Sequence, residues 1–266
     1  MTDYKILIIG CGTVGKNLYK ELEALNPEVY DKYTRTDSRR VSYDKEMHMV
    51  YPHYDLAFIC VDTPLTEDDS LDTIEVVNAI KENDADIYVI KSTIPVGTTE
   101  LMQIHSGKRL VFSPEYYGGT PHCNNFKFDF TILGGNKEDC IKVQQILQHC
   151  YDARHTFHIT DSKTAELTKF MENSWIATKV SFCNQFYEIA KIYDISYEEL
   201  RELFILDPRV NPSHTFVYND HPYWDSHCLN KDIPCIAKNT NASLLRQIIY
   251  FNDMQKAKYD ENENLN

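Results

Sequence analysis

The sequence lacks the segments that would carry a chain into or across a membrane. No uninterrupted apolar run comes near the length of about 18 residues that a spanning helix needs, which excludes such a helix. Met1 to Lys5 lead straight into a short strand-like segment, with no apolar core of a signal peptide before it. With 42% hydrophobic and 25% charged residues, the composition is typical of a soluble globular protein.

Positive charge is scarce as well. The chain has 27 Lys and Arg against 40 Asp and Glu, a formal net charge of −13. A surface this acidic repels phosphate backbones and anionic lipids, so we expect neither nucleic acid nor a membrane as a main partner. A nucleotide ligand is still compatible with this charge, because the backbone N–H groups of a local turn matter more to it.

A disulfide framework is also missing. The eight cysteines are scattered without the spacing of a small secreted scaffold, so we expect reduced thiols that mostly fill the core. This predicts a cytoplasmic enzyme, or one in a host cytoplasm if the chain is viral. The 266 residues allow one large domain, or a larger and a smaller one.

Through its first 160 residues the chain alternates strand-like and helical segments. The apolar run at 5–9 is continuous and stops at a glycine, as expected of a strand buried on both faces. Predicted strands lie at 5–9, 29–31, 56–61, 87–90, 110–112, 130–133 and 156–159, and predicted helices at 17–25, 73–81 (capped by Asp72) and 137–150. The pattern predicts the α/β class, with a Rossmann-type, mostly parallel sheet and right-handed crossovers over residues 1–160.

The pattern changes after residue 160. One helical stretch without Gly or Pro covers 162–193, and shorter helices follow at 198–204 and 244–258. Between them, 207–232 is rich in Pro, Asn and His, and we expect an irregular loop there. Residues 161–266 are therefore predicted to form a smaller all-helical domain with a long central helix.

A glycine-rich turn follows the first predicted strand. Gly10-Cys11-Gly12-Thr13-Val14-Gly15 fits G-x-G-x-x-G between a buried strand and a helix start, the setting in which this pattern binds a dinucleotide. The glycines permit the tight turn, the approach to a pyrophosphate and the packing of helix on strand, and the N–H groups of the helix start face the phosphates. A structural turn without a ligand is the alternative.

An acidic residue is expected about 20 positions further on, where it holds the adenosine ribose hydroxyls. Asp31, at the end of a short second strand, is the candidate, and its charge would repel a 2′-phosphate. This favours NAD over NADP, although Lys32, which we also expect at the cofactor, and Arg35 weaken the preference.

Six segments, in order along the chain, resemble motifs of the UDP-glucose/GDP-mannose dehydrogenase family, the NAD-dependent nucleotide-sugar 6-dehydrogenases. They are Phe58-Ile59-Cys60-Val61-Asp62-Thr63-Pro64, Lys91-Ser92-Thr93-Ile94-Pro95-Val96-Gly97-Thr98-Thr99, Ser113-Pro114-Glu115-Tyr116, Ala165-Glu166-Leu167-Thr168-Lys169-Phe170 continuing through Asn173 to Asn184, Asp207-Pro208-Arg209-Val210, and Cys228-Leu229-Asn230-Lys231-Asp232. The resemblance implies cofactor contacts from Val61, Thr63 and Thr93.

The reaction implied by the resemblance is the four-electron oxidation of a primary alcohol to an acid. Such a reaction must trap an aldehyde, and a thiolate does so by forming a thiohemiacetal that can be oxidised to a thioester. Cys228 is the candidate nucleophile, because Lys231 and a predicted helix start near Asp232 would lower the pKa of its thiol. Buried filler is the alternative here and our expectation for the other seven cysteines.

Lys169 and Asn173 are four residues apart, so on a helix they project from one face and could together stabilise a developing oxyanion. A surface lysine and a helix-interior asparagine are the alternative. By the resemblance, Asp232 works with a water and Lys169 as the acid–base group, Thr93 positions that water, and Glu115 assists thioester hydrolysis.

Substrate contacts also follow from the resemblance. It implies contacts from Glu115, Tyr116, Lys169, Asn173 and Lys231, and an Arg209 that reaches the sugar in a neighbouring subunit, hence a homodimer. No metal is expected, because the spacing of His221, His227, Cys228 and Cys235 matches no zinc template.

Two departures from the family pattern stand out. The family has a glycine-rich stretch just before the cysteine, where this chain has Tyr223-Trp224-Asp225-Ser226-His227, and we expect the bulky side chains to reshape the sugar pocket. Family members also continue into a C-terminal nucleotide-binding domain, so the chain resembles a short form that lacks it.

We therefore keep two alternatives to a nucleotide-sugar dehydrogenase: a two-electron β-hydroxyacid-type dehydrogenase, which needs no cysteine, and a non-catalytic NAD-binding protein.

Overall fold

The computed structural model describes residues 4–40, 42–43, 49–117 and 128–263. The chain divides into two compact units, Met1–Lys169 and Phe170–Asn266. The boundary between them falls in the sequence of one long helix, α5 (Ser162–Ile192). The assignment of 1–160 to an NAD-binding domain and of 161–266 to a helical dimerisation domain that carries the catalytic Lys, Asn and Cys stays a prediction.

An eight-stranded sheet is the centre of the first unit, as far as the described residues show. Its strand order is β10-β9-β8-β7-β6-β1-β2-β3, and a separate two-stranded ribbon pairs β4 with β5. The strands are β1 (Ile6–Ile9), β2 (Glu28–Asp31), β3 (Thr36–Asp37), β4 (Ser42–Tyr43), β5 (Met49–Val50), β6 (His53–Ile59), β7 (Asp84–Ile90), β8 (Leu110–Phe112), β9 (Phe130–Gly135) and β10 (Thr156–Thr160).

Apolar residues cover both faces of this sheet. In β1, Ile6 and Ile8 pack into one cluster and Leu7 and Ile9 into another, and none is more than 3% exposed. A strand buried on both sides reads as a continuous apolar run, which is why its sequence shows no alternation. Because β1, β2, β6, β7 and β8 are parallel, their C-terminal ends share one edge.

Four α-helices and one short 3-10 segment connect the strands, again within the described residues. They are α1 (Thr13–Glu21), the 3-10 segment Glu23–Leu25, α2 (Ile74–Glu82), α3 (Thr98–Ser106) and α4 (Lys137–Leu147). The cap of α2 is Thr73, not the predicted Asp72, whose Oδ1 accepts the Ile74 N–H at 2.9 Å. The α/β class and mostly parallel sheet are confirmed, with β9 and β3 each antiparallel to a neighbour.

The second unit is helical wherever the structure shows regular structure. It contains the rest of α5, then α6 (Tyr197–Phe204), α7 (His227–Thr240) and α8 (Ser243–Glu263). Three helices and one loop contribute to its buried core. The residues are Ala177 of α5, Trp224 of the loop before α7, Leu229 and Ile233 of α7, and Ile248 of α8. The predicted loop over 207–232 is wrong at its end, because α7 already begins at His227.

Candidate active site

The glycine turn after β1 leaves room for a ligand. Gly10 has a φ of +96°, and a Cβ there would lie 2.5 Å from the carbonyl oxygen of Cys60. A Cβ on Gly15 would overlap the carbonyl oxygen of Gly10, so the helix start packs against the turn. At Gly12 a Cβ would meet nothing within 4 Å. Two glycines are therefore required by the fold, and the third faces open space.

Thr13 and Val14 begin α1 directly after this turn. The cap residue is Gly12, and in α1, which the structure describes throughout, the first turn has no acidic residue and no side chain caps it. The first N–H groups of a helix lack intrahelical acceptors and carry partial positive charge. This cradle fits the diphosphate of a dinucleotide.

Asp31 ends β2, and its carboxylate is tied to the glycine turn. Oδ2 accepts from the Cys11 N–H at 2.6 Å, and Oδ1 accepts from the N–H groups two and three residues further on, at 2.9 and 2.8 Å. Partial burial favours the neutral acid, but these donors outweigh it and hold the pKa of Asp31 below its usual value. Lys32 Nζ lies 2.5 Å from Glu75 Oε2, so this ammonium is paired with an acid.

Val61, Thr63 and Thr93 follow β6 and β7 at the shared sheet edge. Thr63 Oγ1 donates to the carbonyl oxygen of Thr93 at 2.7 Å, and both threonines are buried. Ser92 Oγ donates to the carbonyl oxygen of Val61 at 2.6 Å. These bonds hold the two loops together, and the contacts of these residues with a cofactor stay a prediction.

The structure brings Glu115 and Lys169 together within the first unit. Lys169 Nζ donates to the backbone carbonyl of Glu115 at 2.7 Å and lies 3.5 Å from Oε1. The two side chains are 6% and 5% exposed, so Lys169 is not a surface lysine. The ammonium also lies 5.4 Å from the ring centre of Tyr116. Such a buried ammonium can donate to a substrate oxygen or exchange a proton with the carboxylate.

In the second unit, Asp232 joins Asn173 and Lys231. Asn173 Nδ2 donates to Asp232 Oδ2 at 2.6 Å, and Lys231 Nζ lies 2.8 Å from Oδ1. Asp232 is fully buried and Asn173 nearly so. Each carboxylate oxygen thus has a donor, which a buried charge requires. Asn173 and Asp232 are 59 positions apart in sequence, and no local pattern indicated that they pair.

Cys228 is the second residue of α7 and is half-buried. Ser226 caps the helix, since its Oγ accepts the Leu229 N–H at 3.2 Å. The prediction of a helix start near Asp232 is wrong, because α7 begins at His227. Proline is common in the first turn of a helix, but Pro234 lies in the interior of α7. The first turn of a helix is a position where backbone N–H groups favour a thiolate.

The residues that replace the glycine-rich stretch have structural partners. Trp224 is buried in the core of the second unit, where its Nε1 donates to Ser181 Oγ at 3.0 Å and its N–H to Asn252 Oδ1 at 2.8 Å. Asp225 Oδ2 lies 3.1 Å from Lys256 Nζ. The bulk of Trp224 therefore fills the core, and the expectation that it reshapes a pocket lacks support.

Arg209 is an exposed residue of the second unit. It follows α6 in the loop before α7, its side chain is 88% exposed, and its guanidinium pairs with Asp207 at 2.6 Å. The contact of Arg209 with a sugar in a neighbouring subunit stays a prediction.

Two buried charged residues of the first unit were given no role from the sequence. Lys91, after β7, donates from Nζ to Ser113 Oγ at 3.0 Å, and burial holds its pKa below the usual value. Glu166 is fully buried one helical turn before Lys169. One feature of the sequence could have indicated Lys91: it directly follows the apolar residues of a buried strand, so its charge is expected in the interior.

Among the residues in the part of the chain that the structure describes, no three His, Cys, Asp or Glu side chains converge as a metal site. Nor does that part contain a helix long and apolar enough to cross a membrane.

Comparison with protein families finds two matches along the chain. Residues 13–154 match the NAD binding domain of the UDP-glucose/GDP-mannose dehydrogenase family, and residues 163–255 match its central domain. The first match confirms NAD as the predicted cofactor.

Individual relatives agree with the family matches. Over 216 residues the chain is 31% identical to UDP-N-acetyl-D-mannosamine dehydrogenase of Methanococcus aeolicus, covering 75% of this chain and 48% of that protein. Over 230 residues it is 25% identical to UDP-glucose 6-dehydrogenase of Rickettsia prowazekii, covering 81% and 52%. The chain therefore spans about half the length of these curated relatives.

Among solved structures, a UDP-glucose dehydrogenase from the archaeon Pyrobaculum islandicum has the same fold. The TM-score is 0.73 at 20% identity, covering 94% of this chain and 68% of that one. The family matches cover more than half of the sequence, in the order of the predicted motifs. The chain belongs to the UDP-glucose/GDP-mannose dehydrogenase family.

Proposed function

We propose that this protein is an NAD-dependent dehydrogenase that oxidises the primary alcohol of a nucleotide sugar to the acid through a thioester on Cys228. The observation that supports it most is the buried contact of Lys169 with Glu115, at 2.7 Å from the carbonyl and 3.5 Å from the carboxylate. Burying a charged pair is costly, so a fold that does so without a catalytic use for it would gain little.

NAD, when bound, would supply the hydride acceptor, and two NAD molecules would be consumed for each sugar. The turn at Gly10 and Gly12 and the N–H groups of α1 hold its diphosphate. Asp31 accepts from the ribose hydroxyls, and its pairing with backbone donors keeps it ionised for that purpose. Because Glu75 pairs with Lys32, that lysine offers less attraction to a 2′-phosphate, which supports NAD over NADP.

Acid–base work in the first oxidation falls to Lys169 and Asp232. As the alcohol loses its hydride, its hydroxyl proton passes to Asp232 through a water that Thr93 positions, and the protonated Lys169 acts with them by donating a hydrogen bond to the substrate oxygen. The Lys169 ammonium and the Asn173 amide stabilise negative charge on the substrate oxygen. Asn173 is oriented for this by its hydrogen bond to Asp232.

The second oxidation uses Cys228. Its thiolate adds to the aldehyde carbon, and the resulting oxyanion gains a proton to give a thiohemiacetal. Loss of a hydride and of the hydroxyl proton then yields the thioester. Water, activated by Glu115, attacks the carbonyl carbon, the carbon–sulfur bond breaks, and the products are the acid and the free thiol.

The substrate class we propose is a sugar linked to a nucleoside diphosphate. The relatives are named for UDP-N-acetyl-D-mannosamine and UDP-glucose, and these two sugars are the first to test. Tyr116, next to Glu115, and Lys231, bound to Asp232, are proposed substrate contacts together with Arg209. A cytoplasmic location stays a prediction.

We also propose a homodimer, supported by an uncovered apolar face on α5. Met171, Trp175, Phe182 and Phe186 share one side of the helix and are 74%, 60%, 50% and 39% exposed. Large exposed apolar patches are rare on monomers, and a second copy presents the same face. Sedimentation should show a dimer that Trp175→Glu dissociates. A monomeric wild type at micromolar concentration would contradict this.

The activity is tested by incubating the protein with NAD and each sugar nucleotide. We expect an acid product and two NADH per sugar. One NADH per substrate would instead support a two-electron dehydrogenase. NAD binding without turnover of any nucleotide sugar would support a non-catalytic NAD-binding protein.

A further inference from the structure

Helix α3 has no cap of its own. Its cap residue is Gly97, which has a φ of +91° and no side chain. The N–H groups at this end are met by Glu166, far along the chain: Oε2 accepts from the Gly97 N–H at 2.5 Å, and Oε1 accepts from the Thr99 N–H at 2.9 Å and from Thr99 Oγ1 at 2.6 Å. One carboxylate thus joins the start of α3 to α5.

Capping a helix with a buried carboxylate has a high desolvation cost. Glu166 is fully buried, and that burial raises the pKa of its carboxyl although three hydrogen bonds oppose the shift. A side-chain cap at position 97 would be strained by this positive φ, so the acceptor for these N–H groups comes from another element. What the distant carboxylate adds is a fixed link between two elements.

A second contact fixes the same turn of α5. A Cβ on Gly134 in β9 would overlap the Cβ of Ala165 and lie 2.8 Å from the carbonyl oxygen of Asp161. The first turn of α5 therefore rests directly on the sheet. Ala165 and Glu166 are neighbours, so this end of the helix is held by the strand and by α3 together.

We propose that Glu166 is a positioning residue, which holds Lys169 at Glu115 and fixes the loop that carries Thr93. Lys169 lies three residues after Glu166, on the same side of α5, and its Nζ is 2.7 Å from the Glu115 carbonyl. The loop with Thr93 ends at Gly97, which Glu166 binds. The role of these residues in turnover rests on the proposed function, whereas the link itself does not.

Chemical labelling of Lys169 tests the link without turnover. In the wild type Lys169 is 4% exposed and should react slowly with acetic anhydride. Glu166→Gln places an amide where the Gly97 N–H needs an acceptor, so we expect Lys169 to be acetylated about tenfold faster, as local opening becomes easier. Mass spectrometry of the Lys169 peptide measures the rate. An unchanged rate in a folded Glu166→Gln variant would overturn the proposal.

Asp139→Asn is the matched control. Asp139 is also a buried carboxylate of the first unit, bound by Arg109 Nε at 2.7 Å, but it lies on α4 and has no link to α5 in the described structure. We expect its loss to lower stability and leave Lys169 labelling unchanged. Equal increases in both variants would mean general loosening and would also overturn the proposal.

Thr99→Val gives a milder second variant should Glu166→Gln not fold. It removes one of three donors to Glu166, so Lys169 labelling should rise by less, in the same direction.

If the enzyme turns over, Glu166→Gln should lower kcat about tenfold and leave the Kd for NAD within about twofold, because misplacing a catalytic group lowers the rate rather than cofactor affinity. A wild type that turns over no nucleotide sugar would refute the proposed function, and labelling would still decide the role of Glu166.

Discussion

Three buried or half-buried polar residues of the first unit and two of the second have different kinds of partner. In the first unit, Asp31 is held by N–H groups of two turns, Lys169 by a carbonyl, and Glu166 mainly by the N–H groups at the start of a helix. In the second unit, Asp232 is held by the side chains of Asn173 and Lys231, and the indole of Trp224 by the hydroxyl of Ser181.

This difference affects what a substitution does. A backbone N–H or carbonyl stays in place when a neighbouring side chain changes, so the N–H groups around Asp31 can still be satisfied by a substitution that keeps an acceptor oxygen. A side-chain partner leaves another buried group unpaired when it is removed. We therefore expect the free energy of unfolding to be more sensitive to a substitution of Asp232 than to one of Asp31.

The largest effect should come from Cys228→Ser. A serine hydroxyl is a poor trap for the aldehyde, so acid formation should fall at least about 1,000-fold, with little loss of stability for a half-buried side chain. The readout is the rate of acid formation and the NADH released per sugar. Cys235→Ser is the control on the same helix and should keep activity. Full activity in Cys228→Ser would point to two-electron chemistry.

Asp232→Ala should have the next largest effect, on stability. It leaves the Lys231 ammonium, whose side chain is 10% exposed, without its carboxylate, so the free energy of unfolding should fall by about 3 kcal/mol. Urea unfolding measures the loss. The control is Asp225→Ala, which breaks an ion pair whose partners are both 42% exposed and should cost about 1 kcal/mol or less. Equal losses would remove the contrast between buried and exposed pairs.

Asp31→Asn tests the first unit. The amide oxygen can still accept backbone hydrogen bonds, so we expect a stability loss of about 1 kcal/mol, together with a Kd for NAD about tenfold higher and weaker rejection of NADP. Because the pKa of Asp31 is lowered in the folded state, its stabilising effect should be present at neutral pH and lost as the pH falls through that pKa. Titrating both proteins with NAD and NADP, and unfolding them at pH 7 and pH 3, gives the comparison. Tighter binding of NADP by the wild type would refute the role given to Asp31.

The smallest effect should be a pH-dependent one at His53. This imidazole lies 2.8 Å from Asp84 and 3.2 Å from Asp86, and the hydrogen bond to Asp84 raises its pKa, against a smaller opposing effect of burial. A raised pKa means that the stabilisation is present below the pKa of the unfolded chain and is lost as the pH rises through the folded value. His53 is 55% exposed, so His53→Gln should cost about 0.5 kcal/mol at pH 5.5 and close to nothing at pH 8.5. A loss that grows with pH would contradict the assignment.

Most of the first unit could be predicted from sequence because its signals are local. The buried strands are continuous apolar runs, and each predicted strand lies on or overlaps an observed one. The reversed direction of β9 could not be predicted, since an apolar run reads the same in either direction. In the second unit the long helix was found, but α7 was hidden by a loop-like composition, and its capping Ser226 was not recognised.

Sequence alone determined the α/β fold, the glycine turn and the identity of the polar residues, because strand periodicity and the needs of a tight turn act over a few neighbouring positions. Only the tertiary structure decided which of these residues meet. The contacts of Asp232 with Asn173, of Glu166 with the start of α3 and of Trp224 with the helical core join positions tens of residues apart. They depend on which side chains are buried opposite one another, and that follows from packing rather than from any local pattern.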